Sequence, residues 1–419
     1  MASRTNPPRR EHDIVVYGAT GFVGRLLVDH LAAHAPDGAR IALGGRSRER
    51  LERLRESLTG TARDWPVVVA DAADPDELGA LARSTRVIAT TVGPYARYGL
   101  PLATACAEAG THYADLTGEV LYVRDVIDAC HETATRTGAR LVTACGFDSV
   151  PSDLGVLMLH RQAQADGAGG LGDTTLLVTR MRGGVSGGTV DSMRAQLEAL
   201  DADPSRRRTV LDPFALSPDR SAEGDDSAEG DVVRPSRDDL TGQWTAPFVM
   251  APFNTRIVRR SNALLAHAYG PRFRYREAMG FGTDLRARAT ALAVTVGLGV
   301  AMAAMSNPLT RPLADRVAPA PGQGPDEQAR ANGRFRMEVR TVTDTGRRYV
   351  AVVAARGDPG YAATAVMLGE SALCLAFDEG EQHEGEPHGG GVLTPAVAMG
   401  GALVDRLRAQ GFTMTADPE

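Results

Sequence analysis

Four residues of strand character, Ile14-Val15-Val16-Tyr17, run straight into Gly18-Ala19-Thr20-Gly21-Phe22-Val23-Gly24, and an amphipathic stretch opening Arg25-Leu26-Leu27-Val28 follows. A short apolar run ending in glycine reads as a buried strand, and apolar positions at helical spacing after it read as a helix. The rhythm repeats. Apolar runs recur at 41–45, 67–70, 87–92, 112–116 and 140–146, separated by helical patterns such as Leu51/Leu54/Leu58, 101–109 and 123–137. Six strands alternating with helices predict an α/β domain, a Rossmann-type doubly wound parallel sheet, over 11–155. The first ten residues lack any such pattern and are expected to lie outside the fold.

The second half has a different texture. A strand at 174–181 leaves through a glycine-rich turn into a helix at 189–200. The stretch 203–239 is rich in Pro, Ser, Asp, Glu and Arg, and reads as a flexible solvated loop. Strands at 333–343 and 347–355 alternate in polarity across Asp344-Thr345-Gly346, which predicts an antiparallel hairpin. Helices are expected at 361–377 and from Thr394-Pro395 to 408, with Pro in the first turn. These elements predict a second α+β domain, 156–390, with a mostly antiparallel sheet. A C-terminal helix, 391–412, is expected to pack back on the first domain. The run 289–305 carries no charge. Its 17 residues would extend roughly 26 Å as a helix, short of a hydrocarbon core near 30 Å. Gly297 and Gly299 weaken it, and no Trp or Tyr lies next to it. A buried helix of the second domain is the first expectation. The alternatives are an apolar wall for a lipid-like chain, a face that touches a membrane surface and, last, a spanning helix.

Composition narrows the function. A chain of 419 residues with 43% hydrophobic content can build two domains. A net charge of −6 argues against a nucleic-acid partner. The chain contains no lysine, so all 46 Lys+Arg residues are arginine. That excludes a lysine Schiff base and the Tyr-x-x-x-Lys dyad of short-chain dehydrogenases. Cys106, Cys130, Cys145 and Cys374 are widely spaced, as expected of reduced thiols in a cytoplasmic protein. His383 and His388 are too loosely spaced to define a metal site, and no metal is expected.

The candidate chemistry centres on the first glycines. Gly18 permits a turn of unusual φ, Gly21 lets a pyrophosphate approach the backbone, and Gly24 lets helix pack on strand. Thr20, Phe22 and Val23 complete the loop, whose helix N-terminus presents N–H groups to phosphate. After the second strand stand Arg46 and Ser47, where an acid would select NAD; an arginine there points to the 2′-phosphate of NADP(H) over NAD(H). Asp71 and Ala72 end the third strand, near an adenine. Val92, Gly93, Pro94 and Tyr95 end the fourth, and Gly146 ends the sixth, along the ribose and nicotinamide. With lysine absent, Tyr95 and Asp148, each just past a strand end, are the favoured proton donors. Ser186, Gly187 and Thr189 at a helix start, and Arg260, are candidate substrate contacts; a solvated strand end is the alternative for Arg259 and Arg260.

Four ordered motifs carry a resemblance: Gly18 to Gly24, Thr91-Val92-Gly93-Pro94-Tyr95, His112-Tyr113-Ala114-Asp115-Leu116-Thr117-Gly118-Glu119 and Gly146-Phe147-Asp148-Ser149-Val150-Pro151-Ser152-Asp153. Together they resemble the saccharopine dehydrogenase-like oxidoreductases, nearest the actinobacterial branch of trans-acting enoyl reductases. The resemblance resumes at 183–189, 258–261 and 391–396. It implies an NADP-type Rossmann domain, a second α+β domain and reduction of acyl chains made by partner polyketide synthases. The expected partner is thus an apolar acyl or enoyl substrate, carrier-bound, and the expected assembly a homodimer in the cytoplasm, peripheral to a membrane if 289–305 touches one. Two other functional classes stay open: a saccharopine-type dehydrogenase acting on a charged amino-acid adduct, which would need converging arginines, and a non-catalytic dinucleotide sensor or scaffold.

Overall fold

The computed structural model describes residues 10–183, 187–224, 230–307, 309–310, 324–378 and 389–419. The first half alternates β1 (His12–Tyr17), α1 (Phe22–His34), β2 (Ile41–Gly45), α2 (Arg48–Ser57), β3 (Val67–Val69), α3 (Pro75–Ser84), β4 (Thr85–Thr90), α4 (Tyr95–Ala109), β5 (His112–Ala114), α5 (Val120–Thr137) and β6 (Arg140–Val142). Helix α6 (Val150–Ala165) leads to β7 (Leu171–Arg182), α7 (Gly187–Ala202), α8 (Arg207–Leu211), β8 (Ser236–Arg237), β9 (Trp244–Pro247), α9 (Ala251–Leu264), β10 (Arg274–Gly280) and α10 (Leu285–Ser306). The last elements are α11 (Glu327–Ala331), β11 (Arg334–Thr343), β12 (Arg348–Arg356), α12 (Thr364–Phe377), β13 (Gly391–Leu393), α13 (Pro395–Ala398), α14 (Gly400–Ala409) and β14 (Thr413–Pro418).

The first sheet is parallel throughout, in the order β13-β6-β5-β4-β1-β2-β3. Strand β1 pairs with β2 on one side and β4 on the other, so Tyr17 lies beside both Gly44 and Thr90. Chain direction across the sheet reverses at this pair, and the C-terminal strand ends there form a crevice. All six residues of β1 are buried, as expected of a central strand covered on both faces.

The second sheet runs β14-β12-β11-β7-β10-β9-β8. It is antiparallel except where β7 pairs with β10. Strand β11 alternates buried and half-buried positions, the period of a sheet with one face on the core. Helix α6, buried at every residue from Val150 to His160, packs on β11 and β12 of this sheet and on α9 and α13. It therefore joins the two halves.

Several elements differ from the sequence expectation. The seventh parallel strand, β13, and the edge strand β14 are short and paired with residues far away in the chain, so no local periodicity marks them. The chain also returns to the first sheet earlier than expected. Helix α12 packs on α1, β4 and β5, and its buried Glu370 meets His30 Nε2 at 2.8 Å and Arg406 Nη1 at 3.3 Å. Part of the stretch 203–239 is anchored: residues 213–217 are buried, Phe214 and Leu216 among them, and Asp231 pairs with Arg256 at 2.6 Å, while most of its other described positions are exposed. Residues 225–229 lie outside the described residues. Arg259 and Arg260 stand on helix α9, not on a strand end, and both are buried.

Helix α10 overturns the expectation of a buried 289–305. Ala287 and Ala291 are buried, but Leu292, Val296 and Val300 are 55%, 57% and 65% exposed. The reason is contact area: small alanines seat one edge of the helix on β9, and the rest projects beyond it.

Candidate active site

The glycine loop is built as its spacing demands. Gly18 has φ +89, and a Cβ there would meet Thr91 Oγ1 at 2.8 Å. Its carbonyl accepts from Gly21 N at 2.9 Å and Thr91 Oγ1 at 3.2 Å, which pins the turn to the end of β4. A Cβ on Gly24 would stand 2.1 Å from that same carbonyl oxygen, so close packing of α1 on β1 requires glycine. Gly21 precedes α1 as its N-cap and offers no side-chain acceptor. The first-turn N–H groups of a helix have no acceptor within the helix, so this end is available to an anion. A dinucleotide fits this frame: a glycine turn, a helix N-terminus without a side-chain cap from its N-cap residue and an open crevice coincide.

Arg46 follows β2 and is exposed, with no ion pair among the described residues. Ser47 caps α2, accepting from Arg50 N at 3.4 Å. Asp71 and Ala72 follow β3, where Asp71 Oδ1 accepts from Ala73 N at 2.9 Å. Tyr17 donates to Ala70 O at 3.0 Å, and burial pushes its phenol to about 12, so it serves as a fixed neutral strut beneath this edge.

The crevice widens into a cleft of about 310 Å³ that brings Gly21, Phe22, Val23, Gly93, Pro94, Tyr95, Gly146 and Asp148 together. Thr20 stays on the loop, and Val92 anchors to β4 by donating from N to Thr90 Oγ1 at 3.2 Å. The cleft's far wall comes from the second half of the chain, with Met193, Met250 and Tyr361. Asp148 and Asp191 are the only charged residues among its described lining. Asp148 opens on the cleft, and no hydrogen bond to its carboxyl is found among the described residues. Desolvation alone raises its pKa to about 7, the range suited to an acid working at neutral pH. Just before it, Ala144 is held at φ 63 with its N–H donating to Asp115 Oδ1 at 2.9 Å. Such backbone strain persists where surrounding bonds fix it.

Tyr95 stands on the same rim with its hydroxyl occupied. It donates to Thr90 O and accepts from Leu116 N, both at 3.1 Å. Burial first, then the Asp115 charge, lifts its pKa well above the usual phenol value. Its backbone N–H and that of Ala96 donate to Glu119, which also accepts from Ser192 Oγ at 2.7 Å. Glu119 thus caps α4 and ties the cleft floor to α7. Tyr95→Phe is expected to cost roughly 1–3 kcal/mol in denaturant unfolding, because the buried Thr90 carbonyl and the half-buried Leu116 N–H lose their partner. Its kcat should fall far less than that of an Asp148 variant; an equal loss would make Tyr95 the proton donor.

Among the expected substrate contacts, Gly187 donates from N to Tyr361 Oη at 2.9 Å, and its neighbour Gly188 lines the cleft. Ser186 and the Thr189 side chain lie outside the described residues, as do His383 and His388. Arg260 is not at the cleft: it is buried, donating to Leu216 O at 2.6 Å and Val392 O. The far-wall residues escaped the sequence reading. Tyr361, which packs edge-on to Phe22 at 5.1 Å between ring centroids, and Thr364, which accepts from Phe147 N at 3.1 Å, carry no local motif. All four cysteines are buried and unpaired, and no metal-ligating cluster occurs among the described residues.

A parallel sheet with a glycine turn at its switch point, closed by a second sheet, defines a Rossmann-type dinucleotide-binding oxidoreductase. The Saccharopine dehydrogenase NADP binding domain model matches residues 14–142. The whole chain is 51% identical over 414 residues, 97% of each chain, to a Mycobacterium tuberculosis H37Rv protein named as a candidate trans-acting enoyl reductase. It is 49% identical over 416 residues, 97% of this chain and 98% of the relative, to the trans-acting enoyl reductase of Mycobacterium ulcerans. The apo saccharopine dehydrogenase (L-Glu forming) of Saccharomyces cerevisiae shares the fold, with a TM-score of 0.54 at 11% identity over 97% of this chain and 99% of that one. The chain belongs to the saccharopine dehydrogenase-like trans-acting enoyl reductases, a family of NADP-binding oxidoreductases.

Proposed function

We propose that the protein reduces the α,β-double bond of an apolar acyl chain presented as a carrier-bound thioester by a partner synthase, using NADPH in the cytoplasm. The observation that carries this reading is the lining of the cleft. Its described walls contain apolar side chains, among them Leu116, Phe147, Met193 and Met250, and no arginine. An amino-acid adduct bearing several carboxylates would meet Asp148 and Asp191 there, with no basic partner among the described lining residues. An apolar chain meets complementary surface.

Bound NADPH supplies hydride to the β-carbon. The residues of the chain do the rest: the Gly18–Gly24 loop and the N-terminus of α1 hold the pyrophosphate, and Gly93, Pro94 and Gly146 floor the nicotinamide end. Phe22 and Tyr361 stand edge-on to each other and supply aromatic surface to the cleft wall. As the double-bond electrons move toward the thioester oxygen, the α-carbon requires a proton. Asp148 holds that proton on its carboxyl oxygen and recovers it from solvent through the cleft mouth. A sensor without turnover would have no use for an acid of raised pKa, without a partner among the described residues, in this position.

Arg46 takes the 2′-phosphate in this reading. Its exposed guanidinium follows β2, free of ion pairs among the described residues. Arg46→Ala should weaken NADPH binding about 10–100-fold, the worth of a hydrogen bond between charged groups, and leave NADH binding unchanged. Fluorescence titration measures both; equal losses would remove Arg46 from that role.

A further inference from the structure

Helix α10 is 22 residues long, about 33 Å at 1.5 Å per residue, and among its described positions only Ala287 and Ala291 are buried. Leu292, Val296 and Val300 project on one face, while Val294, Leu298, Met302 and Met305 occupy the others. No polar face exists. A protein partner covers one stripe of a helix and leaves a polar stripe to water, and a helix lying flat on a membrane keeps a charged side. A helix apolar on every side, with no described residue packed on most of it, matches a solvent that surrounds it, which is hydrocarbon.

The charges around it agree. Arg286 and Arg288 are exposed at its N-terminal end, and the next charge in the chain after them is Arg311. No acidic residue occurs between Asp284 and Asp315, and Asp284 is occupied as the N-cap, accepting from Ala287 N at 2.8 Å. Arg288 lies over the Trp244 ring at 5.1 Å, a pairing of cation and indole suited to a headgroup layer. Both ends of the helix return to one sheet, because the preceding β10 and the following β11 flank β7. A crossing is therefore ruled out, and insertion from one side is left.

We propose that α10 inserts obliquely into the acyl region of an anionic membrane leaflet, with Arg286, Arg288 and Trp244 at headgroup depth. Strand β9, against which α10 packs, continues through Phe248 to Met250 on the cleft wall. The membrane would thus lie beside the cleft of an enzyme whose substrates are apolar chains. The inference does not depend on that activity.

The test is flotation of the full chain with phosphatidylcholine vesicles, with and without phosphatidylglycerol, alongside sedimentation without vesicles. The wild type should float with the mixed vesicles and bind the neutral ones more weakly. The variant Leu292→Gln/Val296→Gln/Val300→Gln changes only exposed positions. It should keep its thermal transition and lose at least about tenfold in partitioning, the scale set by removing three buried apolar side chains. Arg286→Gln/Arg288→Gln should abolish the preference for the anionic vesicles. A wild type left at the bottom of the gradient overturns the proposal, as does a triple variant that floats unchanged. A vesicle-independent dimer that the triple variant dissociates would assign the face to a second copy and overturn it equally.

Discussion

Asp148→Asn is expected to lower kcat about 10²–10⁴-fold, the contribution of one positioned general acid, with NADPH affinity unchanged. The substitution keeps the size and planar shape of the side chain and removes the proton it gives. Its pH dependence follows from the raised pKa. Burial favours the neutral carboxyl, so the acid is protonated below about 7 and ionises above it. The reductase rate should therefore be level below about 7 and fall as pH rises through it. The Asp148→Asn enzyme should lose that descending limb along with its rate. A variant that keeps both the rate and the limb would place the proton donor elsewhere.

Gly24→Ala is expected to have the largest effect on the fold around the cofactor. The added Cβ would stand 2.1 Å from the Gly18 carbonyl oxygen and 2.9 Å from its carbon. Both are backbone atoms of a turn already held by Gly21 N and Thr91 Oγ1, so no side chain can swing away. Helix α1 must move off β1, at a cost of about 1–3 kcal/mol or more, and its N-terminus leaves the pyrophosphate position. Thermal unfolding and NADPH titration should both register the loss. Gly21→Ala separates the two effects. Its Cβ would meet the Gly18 oxygen at 3.2 Å, a contact the turn can relieve, so stability should hold while the methyl obstructs phosphate approach and weakens NADPH. If Gly24→Ala binds NADPH as tightly as the wild type, the loop does not cradle the dinucleotide.

The Rossmann-type half was legible because its pattern is local. A glycine turn between strand and helix, an arginine at the end of β2 and strand ends bearing Pro94, Tyr95 and Gly146 all lie within a few residues of a period-setting element. The cleft's far wall was not legible. Met193, Met250 and the Tyr361/Thr364 turn converge from three separate segments, and only tertiary packing brings them to Asp148. Tyr95 shows the limit of position alone: it stands past a strand end as expected, yet its hydroxyl bridges Thr90 and Leu116. Arg260 misled for a related reason. An arginine in a polar-looking run reads as solvated, whereas α9 buries it and two backbone carbonyls, Leu216 O and Val392 O, take its Nη1 and Nη2. Helix α10 shows the reverse. Its composition reads as core, but the sequence does not say how little of the protein is available to cover it.

Titration of the purified protein with NADPH and with NADH, followed by addition of enoyl thioesters of increasing chain length under the reduced-nicotinamide absorbance band, tests the central claim most directly. The account predicts that NADPH binds more tightly than NADH, and that NADPH is oxidised faster as the apolar chain lengthens. Tight NADPH binding with no oxidation on any thioester, but turnover on an amino-acid adduct, would contradict it.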